Sequence, residues 1–126
     1  MSTEKNKAAV LGWIDAMNKK DLSVLDKLAD ELNTADFIEH DPGFPDFGRG
    51  PEGVKKWVRQ VLKDSPDMHI TLEDMIADGD KVVVRLTVKS TDAATGKPVN
   101  FLVLAIDRFV GEKIAEEWEL GVPGQW

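Results

Sequence analysis

The residues of this chain best suited to proton transfer are a histidine at position 40 and two glutamates near the end of the sequence. His40 is one of only two histidines, and it stands in the stretch FIEHDPGF, between acidic residues and a proline–glycine turn. Histidine changes its charge near neutral pH, so it can act as a general acid or base in catalysis. It can equally be a polar residue at a strand end that binds a backbone carbonyl. The residue pattern alone leaves both interpretations open.

Glu117 and Glu119 alternate with Trp118 in the segment IAEEWEL, which has the two-residue period of a β-strand. The two glutamates therefore share one face of the strand, while Glu116 and Trp118 share the other. Burial of the glutamates in an apolar cavity raises their pKa values toward those of a useful general base. A solvated edge strand is the alternative, because a bulge beside Trp118 exchanges the two faces.

Other kinds of site lack their motifs. The glycine-rich stretch GFPDFGRGPEG contains no Gly-Lys-Ser/Thr, so a phosphate-binding loop is not expected. The DGD segment lacks the spacing of a calcium loop, and no serine lies in a Gly-x-Ser-x-Gly elbow. Two histidines without ligand spacing and a complete absence of cysteine argue against a catalytic metal. The sequence therefore predicts neither a metal nor a cofactor.

The composition is that of a globular protein with one domain spanning residues 1–126. Of its residues, 42% are apolar and 31% are charged, and the formal net charge is −7. This acidity argues against nucleic acid and acidic membrane surfaces as partners. Because the chain has neither a long apolar run nor a signal-peptide pattern, we expect a cytoplasmic location. A small neutral or weakly polar ligand is compatible with this composition.

Two periodicities divide the chain near residue 68. Before it, a 3.6-residue period and capping signals predict three helices, with a short strand around FIEHDP between the second and the third. After it, four strands with a two-residue period are joined by hairpin turns. This order predicts an α+β fold, with three helices packed on a strongly curved, mostly antiparallel sheet. Such a sheet forms a cone whose apolar interior is a natural small-molecule pocket.

The chain resembles the SnoaL-like polyketide cyclases and predicted ester cyclases over roughly residues 8–120. The resemblance is carried by NKKDLSVLDKLAD, FIEHDP, GPEGVKKWV, LEDMIADGDKVVVRLTV and AIDRFVGEKIAEEWEL, in that order. These families belong to the nuclear-transport-factor-like superfamily of cone-shaped α+β proteins. Because that superfamily includes cyclases, isomerases, dehydratases, epoxide hydrolases and binding proteins, the resemblance implies the fold more strongly than the reaction.

The characterised cyclases close a ring in a polyketide ester by an intramolecular aldol reaction, without metal or cofactor, and the resemblance implies this reaction here. An acid after the tryptophan of the last strand removes a proton activated by carbonyl groups, and pocket histidines polarise or protonate the oxygens. The matching residues here are Glu119 and His40. Three positions depart from the family pattern: Glu119 replaces a common aspartate, and Ala105 and Asp92 stand where histidines often occur.

Aromatic residues and one arginine complete the predicted site. Aromatic side chains at core spacing are usually packing residues, although some must line any cavity that a cone contains. The arginine in VVVRLTV faces solvent or holds a substrate carboxylate. The residues expected to contact substrate are Glu117, Trp118, Trp57, Trp13, Phe101 and Arg85.

Three functions follow from these patterns. The first is an enzyme in which His40 and Glu119 catalyse acid–base chemistry on an apolar or weakly polar carbonyl compound. The second is a non-catalytic binding protein, which is favoured if both residues face solvent. The third is an isomerase, dehydratase or epoxide hydrolase that uses acids and a positioned water. We also predict a homodimer through the outer face of the sheet, where Val83 requires cover.

Overall fold

Three helices and five strands follow one another along residues 2–126, the part of the chain that the computed structural model describes. Their order is the predicted one: two helices, a strand, a third helix and four strands. The elements are α1 (Thr3–Lys19), α2 (Leu22–Leu32), β1 (Asn33–His40), α3 (Gly50–Asp64), β2 (His69–Asp78), β3 (Lys81–Thr91), β4 (Pro98–Val110) and β5 (Lys113–Pro123).

Residues typical of helix ends mark where the three helices begin or stop. The Ser2 side chain accepts a hydrogen bond from the Lys5 backbone N–H at the start of α1, and Lys20 ends that helix in the left-handed conformation. Asp21 then caps α2 by accepting from two backbone N–H groups, and Pro51 occupies the first turn of α3. Within residues 2–126, no helix is both long and apolar enough to cross a membrane.

The five strands form one curved, open sheet in the order β1-β5-β4-β3-β2. Strands β2 to β5 form an antiparallel meander, and β1 pairs with β5 in the parallel direction. Irregularities in pairing between Leu72 and Asp74 and between Arg108 and Phe109 bend the strands, as bulges do. The predicted α+β class and curved sheet are confirmed, and the parallel strand β1 makes the sheet mixed.

The concave face of the sheet carries the core. Val82 and Val84 of β3 belong to one apolar cluster with Val10, Ile14 and Met17, which recur on one face of α1. All five side chains are buried. Helix α1 therefore lies inside the curve of the sheet, as expected for a cone.

One amide side chain ties α1 to the edge strand β2. Asn18 Nδ2 donates to the Ile70 carbonyl at 2.9 Å, and Asn18 Oδ1 accepts from the Ile70 N–H at 2.7 Å. The two bonds occupy backbone groups of β2 that have no further strand beside them. These two bonds fix the end of α1 against β2.

The convex face of the sheet exposes large apolar side chains beside a few ion pairs. Side chains that alternate with the core residues of β4 and β5 point away from the helices. Several large apolar residues are exposed there, among them Leu104, Ile106, Trp118, Leu120 and Val122.

Two glycines at the start of α3 allow close contacts with the preceding loop and with β1. A Cβ at Gly53 would overlap the carbonyl oxygen of Gly48, so the loop and the first turn of α3 approach more closely than a side chain allows. Gly50 is left-handed (φ +71°) and faces the Ala35 carbonyl of β1. These contacts set the position of the loop over the interior of the cone.

We expect Gly53→Ala to destabilise the protein by about 2 kcal/mol or more, because the methyl group must displace backbone rather than a flexible side chain. Gly12→Ala is the matched control, since Gly12 is an exposed helical glycine with no atom near its Cβ position. That substitution should stabilise the chain by about 0.5–1 kcal/mol through helix propensity. Urea unfolding of both variants measures the difference, and equal effects would contradict the close approach.

Candidate active site

Three adjacent strands place acidic side chains in one row on the concave face of the sheet. In the register of the sheet, Asp107 of β4 pairs with Glu117 of β5, and Glu117 pairs with Glu39 of β1. The next inward position on β5 is Glu119, and Asp41 follows the end of β1 on the same side. Five carboxyl groups therefore converge from β4, β5 and β1.

These carboxyl groups line a cavity of about 350 Å³ between the sheet, α1, α3 and the loop that precedes α3. Its other walls are largely apolar and aromatic, and Phe44 of the loop packs edge-on against Trp57 of α3 with ring centroids 6.4 Å apart. The aromatic residues of the lining are Trp13, Phe37, Phe44, Phe47 and Trp57. The cavity thus combines an acidic floor with aromatic walls.

The three glutamates of the floor are close enough to act on one group. Glu39, Glu117 and Glu119 each offer a carboxylate oxygen, and these oxygens lie within 4.8 Å of one another. Three carboxylates at this spacing can share protons, hydrogen-bond one ligand or coordinate a hard cation such as Mg²⁺ or Ca²⁺. The choice depends on their protonation.

Burial raises the pKa of Glu117 and of Glu119 well above the usual range for glutamate. For Glu117 the negative charge of Asp107 and a hydrogen bond to it add to the effect. For Glu119 the charges of Glu39 and Asp41 reinforce burial, and a hydrogen bond to Asp41 again favours the protonated form. Both glutamates can therefore exchange a proton closer to neutral pH than an exposed carboxyl group can.

Two further carboxyl groups of the row, those of Glu39 and Asp107, also have raised pKa values. Burial raises the pKa of Glu39 and of Asp107, while hydrogen bonds with Glu117 lower both pKa values and oppose that rise. Asp107 is only 5% exposed, and its Oδ1 atom has no hydrogen-bond partner within residues 2–126. An acceptor buried in this way is available to a donor from a ligand.

His40 and Glu119 both line the cavity, and the catalytic pairing predicted for them stays a prediction. His40 contributes to the cavity lining, but its Nε2 lies 2.7 Å from Glu116 Oε2 and its ring stacks on Trp118. Glu116 and Trp118 occupy the face of β5 opposite Glu119 and do not line the cavity. Because His40 pairs with Trp118 in the parallel register of β1 and β5, its imidazole follows Trp118 to the convex face.

Half of the predicted substrate contacts line the cavity. Glu117, Trp13 and Trp57 do so, together with the predicted base Glu119. The other three predicted contacts are not among the lining residues: Trp118, Phe101 and Arg85.

Strand alternation, an ion pair and position along the strand explain why Trp118, Arg85 and Phe101 do not line the cavity. Trp118 is one residue out of phase with the inward glutamates of β5. Arg85 binds Asp74 of β2 through two nitrogens, Nε at 2.8 Å and a terminal nitrogen at 2.7 Å, on the convex face. Phe101 has the inward phase of β4 but lies near its start and is 37% exposed, so its position along the strand takes it away from the site.

Sequence reasoning missed Glu39, Asp41 and Asp107. Asp107 carried a signal, because it falls at an inward position of β4 between Ala105 and Phe109, which are both buried. Glu39 and Asp41 flank His40 and share the phase opposite to it. Their inward position becomes visible only once β1 is placed beside β5.

Stability should depend on pH through these buried acids. A carboxyl group with a raised pKa binds its proton more tightly in the folded state, so stability falls as pH rises from about 4.5 through the raised pKa. Glu117→Gln removes the ionisable group and keeps its size. We expect this variant to gain about 1 kcal/mol or more, a few degrees in Tm, near pH 8 and little near pH 5.

Thermal unfolding between these two pH values measures the effect, with Glu112→Gln as control because Glu112 is exposed in the β4–β5 turn. The control should leave the pH profile of wild type unchanged. A lower Tm for Glu117→Gln near pH 8 would show that Glu117 is ionised and stabilising in the fold.

Solved structures with the same fold include several proteins named as cyclases. IdmH, a candidate polyketide cyclase from Streptomyces antibioticus, is 25% identical, with a TM-score of 0.76 over 92% of this chain and 91% of that chain. A SnoaL-like polyketide cyclase from Agrobacterium tumefaciens has 18% identity and a TM-score of 0.77 over 93% and 91% of the two chains. AclR from Streptomyces galilaeus, a candidate hydroxylase, has 24% identity and a TM-score of 0.77 over 95% and 80%.

The family assignment comes from the sequence profile of the SnoaL-like domain, which matches residues 10–117. No curated protein matches the chain significantly. The matched range runs from the first helix to Glu117 on the cavity floor and so includes four of the five acidic positions. The chain belongs to the SnoaL-like domain family.

Proposed function

We propose that this protein is an enzyme that transfers a proton at a carbon beside a carbonyl group of a small molecule, without metal or cofactor. The reaction we propose is the intramolecular aldol closure expected of a polyketide or ester cyclase. The observation that carries the proposal is Glu119, a carboxyl group on the floor of an apolar cavity whose pKa is raised by burial and by neighbouring acids. A base tuned in this way suits removal of a weakly acidic C–H proton.

In the proposed reaction Glu119 takes a proton from a carbon activated by adjacent carbonyl groups, and the C–H electron pair becomes an enolate. Burial raises the pKa of the other acids in the row, and one of them that holds its proton donates a hydrogen bond to the enolate oxygen. The enolate carbon then attacks a second carbonyl group of the same molecule. The resulting alkoxide takes the proton back from Glu119, so the enzyme is regenerated and no co-reactant is consumed.

The aromatic walls support this chemistry by holding the substrate and excluding water. A cavity of about 350 Å³ is at the lower end of the usual range for small-molecule sites. Trp13 and Trp57 line it from the two helices that cover the sheet, and Phe44 closes it from the loop. A folded polyketide chain packed against these rings brings its two reacting carbons together before bond formation.

An isomerase or dehydratase of the same superfamily is the second candidate, and the position of His40 favours it. These enzymes use carboxyl groups and a positioned water rather than a histidine–acid pair. Because the His40 imidazole is bound to Glu116 and Trp118, the polar groups beside Glu119 are carboxyl groups. Proton transfer by Glu119 is common to both candidates, and only the cyclase forms a carbon–carbon bond.

Glu119→Gln should lower proton transfer by about 100-fold or more, because glutamine cannot accept the proton. The measurement is deuterium incorporation from D₂O into a panel of aromatic β-keto esters, followed by NMR. Exchange catalysed by wild type should rise with pH as Glu119 ionises. Equal exchange by wild type and Glu119→Gln would rule out Glu119 as the base.

Two variants on the opposite strand face serve as controls for this assay. Glu116→Gln changes the neighbouring acid on the convex face, and His40→Ala removes the imidazole bound to it. Both should keep exchange within about threefold of wild type, since neither group reaches the cavity floor. Loss of exchange in His40→Ala with an unchanged Tm would return His40 to the catalytic role predicted from the sequence.

We also propose that the protein is a homodimer that pairs through the convex face of the sheet. Support comes from the exposed apolar side chains of that face, including Ile76 at 65% and Leu120 at 56% exposure. An apolar surface of this kind on a soluble chain usually marks an interface. In a twofold dimer the same patch of each copy meets that of the other, so the two apolar faces cover each other.

Leu104→Lys should convert the dimer to a monomer, because it places a charge at the centre of the proposed interface. Light scattering should give twice the chain mass of 14.0 kDa for wild type and the single mass for the variant. Leu11→Lys is the matched control, since Leu11 is a similarly exposed leucine on α1. A monomeric wild type at micromolar concentration would contradict the proposal.

A further inference from the structure

In the part of the chain that the structure describes, the cavity lining carries more negative than positive charge. Six acidic residues line the cavity, and no lysine does so among residues 2–126. Arg85 of β3 and Arg108 of β4 bind Asp74 and Glu116 on the convex face. Arg49 lines the cavity from the loop but is exposed.

A separate observation points to a missing donor. Asp107 is buried, lines the cavity and has an oxygen, Oδ1, without a hydrogen-bond partner in the described part of the chain. Protons shared within the cluster account for the contacts of Glu117 with Asp107 and of Glu119 with Asp41. No N–H or hydroxyl group within residues 2–126 donates to Asp107 Oδ1, and a buried acceptor without such a donor is costly.

The walls distinguish between an inorganic and an organic cation. A metal ion would use the carboxylate oxygens alone and would leave the aromatic lining unexplained. An organic ammonium uses both features, because its N–H groups donate to carboxylates while its charge and apolar body contact aromatic rings. Trp57 and Phe44, packed edge to face, lie on the wall of the same cavity as the acids. The cavity also has room for more than a bare ion.

We propose that the cavity selects ligands that carry a protonated amine, with the ammonium group bound by Asp107, Glu117 and Glu39 and the apolar body packed against Trp57 and Trp13. This differs from the neutral or weakly polar ligand expected from composition. This proposal rests on the proposed function, because it concerns the same cavity. It names the substrate class of that function as carbonyl compounds with a basic nitrogen. The ammonium then supplies the positive charge that allows Glu119 to ionise and act as the base.

Three indole compounds of equal framework and different charge test this selection by isothermal titration calorimetry. Tryptamine is a cation, tryptophol is neutral and indole-3-acetate is an anion. We expect tryptamine to bind at least about tenfold more tightly than tryptophol, and indole-3-acetate not to bind. Binding is measured without turnover, so the result is independent of whether proton exchange is catalysed.

Variants assign the preference to the floor. Glu117→Gln and Asp107→Asn keep side-chain size and should each reduce the tryptamine-to-tryptophol preference by about tenfold. Glu112→Gln removes the same charge from the exposed β4–β5 turn and should retain the full preference, which separates a local contact from the overall negative field. A Tm measurement confirms that each variant is folded.

Affinity for tryptamine should also increase between about pH 6 and about pH 8, because the ammonium displaces protons from the floor. The titratable and charged groups that line the cavity are Glu39, His40, Asp41, Asp46, Arg49, Asp107, Glu117 and Glu119.

Equal binding of tryptamine and tryptophol, no binding of tryptamine at millimolar concentration, or an unchanged preference in Glu117→Gln would each overturn the proposal. Saturation by manganese chloride with no binding of tryptamine would assign the floor to a metal ion and would overturn it too. If exchange does not depend on Glu119, the proposed function fails but the preference for tryptamine is unaffected. If tryptamine is not preferred, the ligand proposal fails but the exchange result is unaffected. The two proposals therefore fail separately.

Discussion

The parallel pairing of β1 with β5 brings a third acidic side chain beside two that the antiparallel sheet already joins. Asp107 and Glu117 are neighbours across the β4–β5 hairpin, and Glu39 is added from a strand 78 positions earlier than Glu117. Three carboxyl groups in a row, shielded from water, cannot all ionise without large electrostatic cost. The raised pKa values, the shared hydrogen bonds and the unsatisfied oxygen of Asp107 all follow from this one juxtaposition.

The apolar framework of the fold makes that arrangement tolerable. Helix α1 fills the concave face with Val10, Ile14 and Met17, and its amide at Asn18 fastens the helix to the edge strand. Hydrophobic burial is the main favourable term in folding, and here it offsets the cost of gathering acids in the interior. The close approach of Gly53 to Gly48 fixes the loop whose residues line the cavity opposite the acids.

Strand β5 shows how strongly position on a sheet determines chemistry. Glu116 faces outward, where hydrogen bonds with His40 and Arg108 lower its pKa. Glu117 is the next residue and the same amino acid, yet its pKa is raised because it faces the cavity and other acids. One step along the strand therefore separates a structural ion-pair partner from a candidate catalytic acid. The same alternation explains why the histidine of the EHDP motif does not meet Glu119.

Local patterns in the sequence determined the elements and their order. Apolar residues at a 3.6-residue period, the cap at Asp21 and the change to a two-residue period near residue 68 predicted three helices and the last four strands, because these signals act over a few residues. The stretch FIEHDP predicted the strand between the second and third helices. Alternation also placed Glu117 and Glu119 together and apart from Trp118. The predicted base and the tryptophans of α1 and α3 do line the cavity.

Only the tertiary structure decided which residues form the site. The inward phase of β1 depends on its register with β5, and that pairing joins segments too distant in the sequence for any local pattern to specify. Once it is set, Glu39 and Asp41 point inward and His40 points outward, so the composition of the floor changes from a histidine–acid pair to a group of acids. Tertiary structure likewise decides that Arg85 and Arg108 pair with Asp74 and Glu116 on the convex face rather than with the acids of the floor. Strand alternation fixes relative faces within one segment, whereas the choice of face requires the packing of the whole sheet.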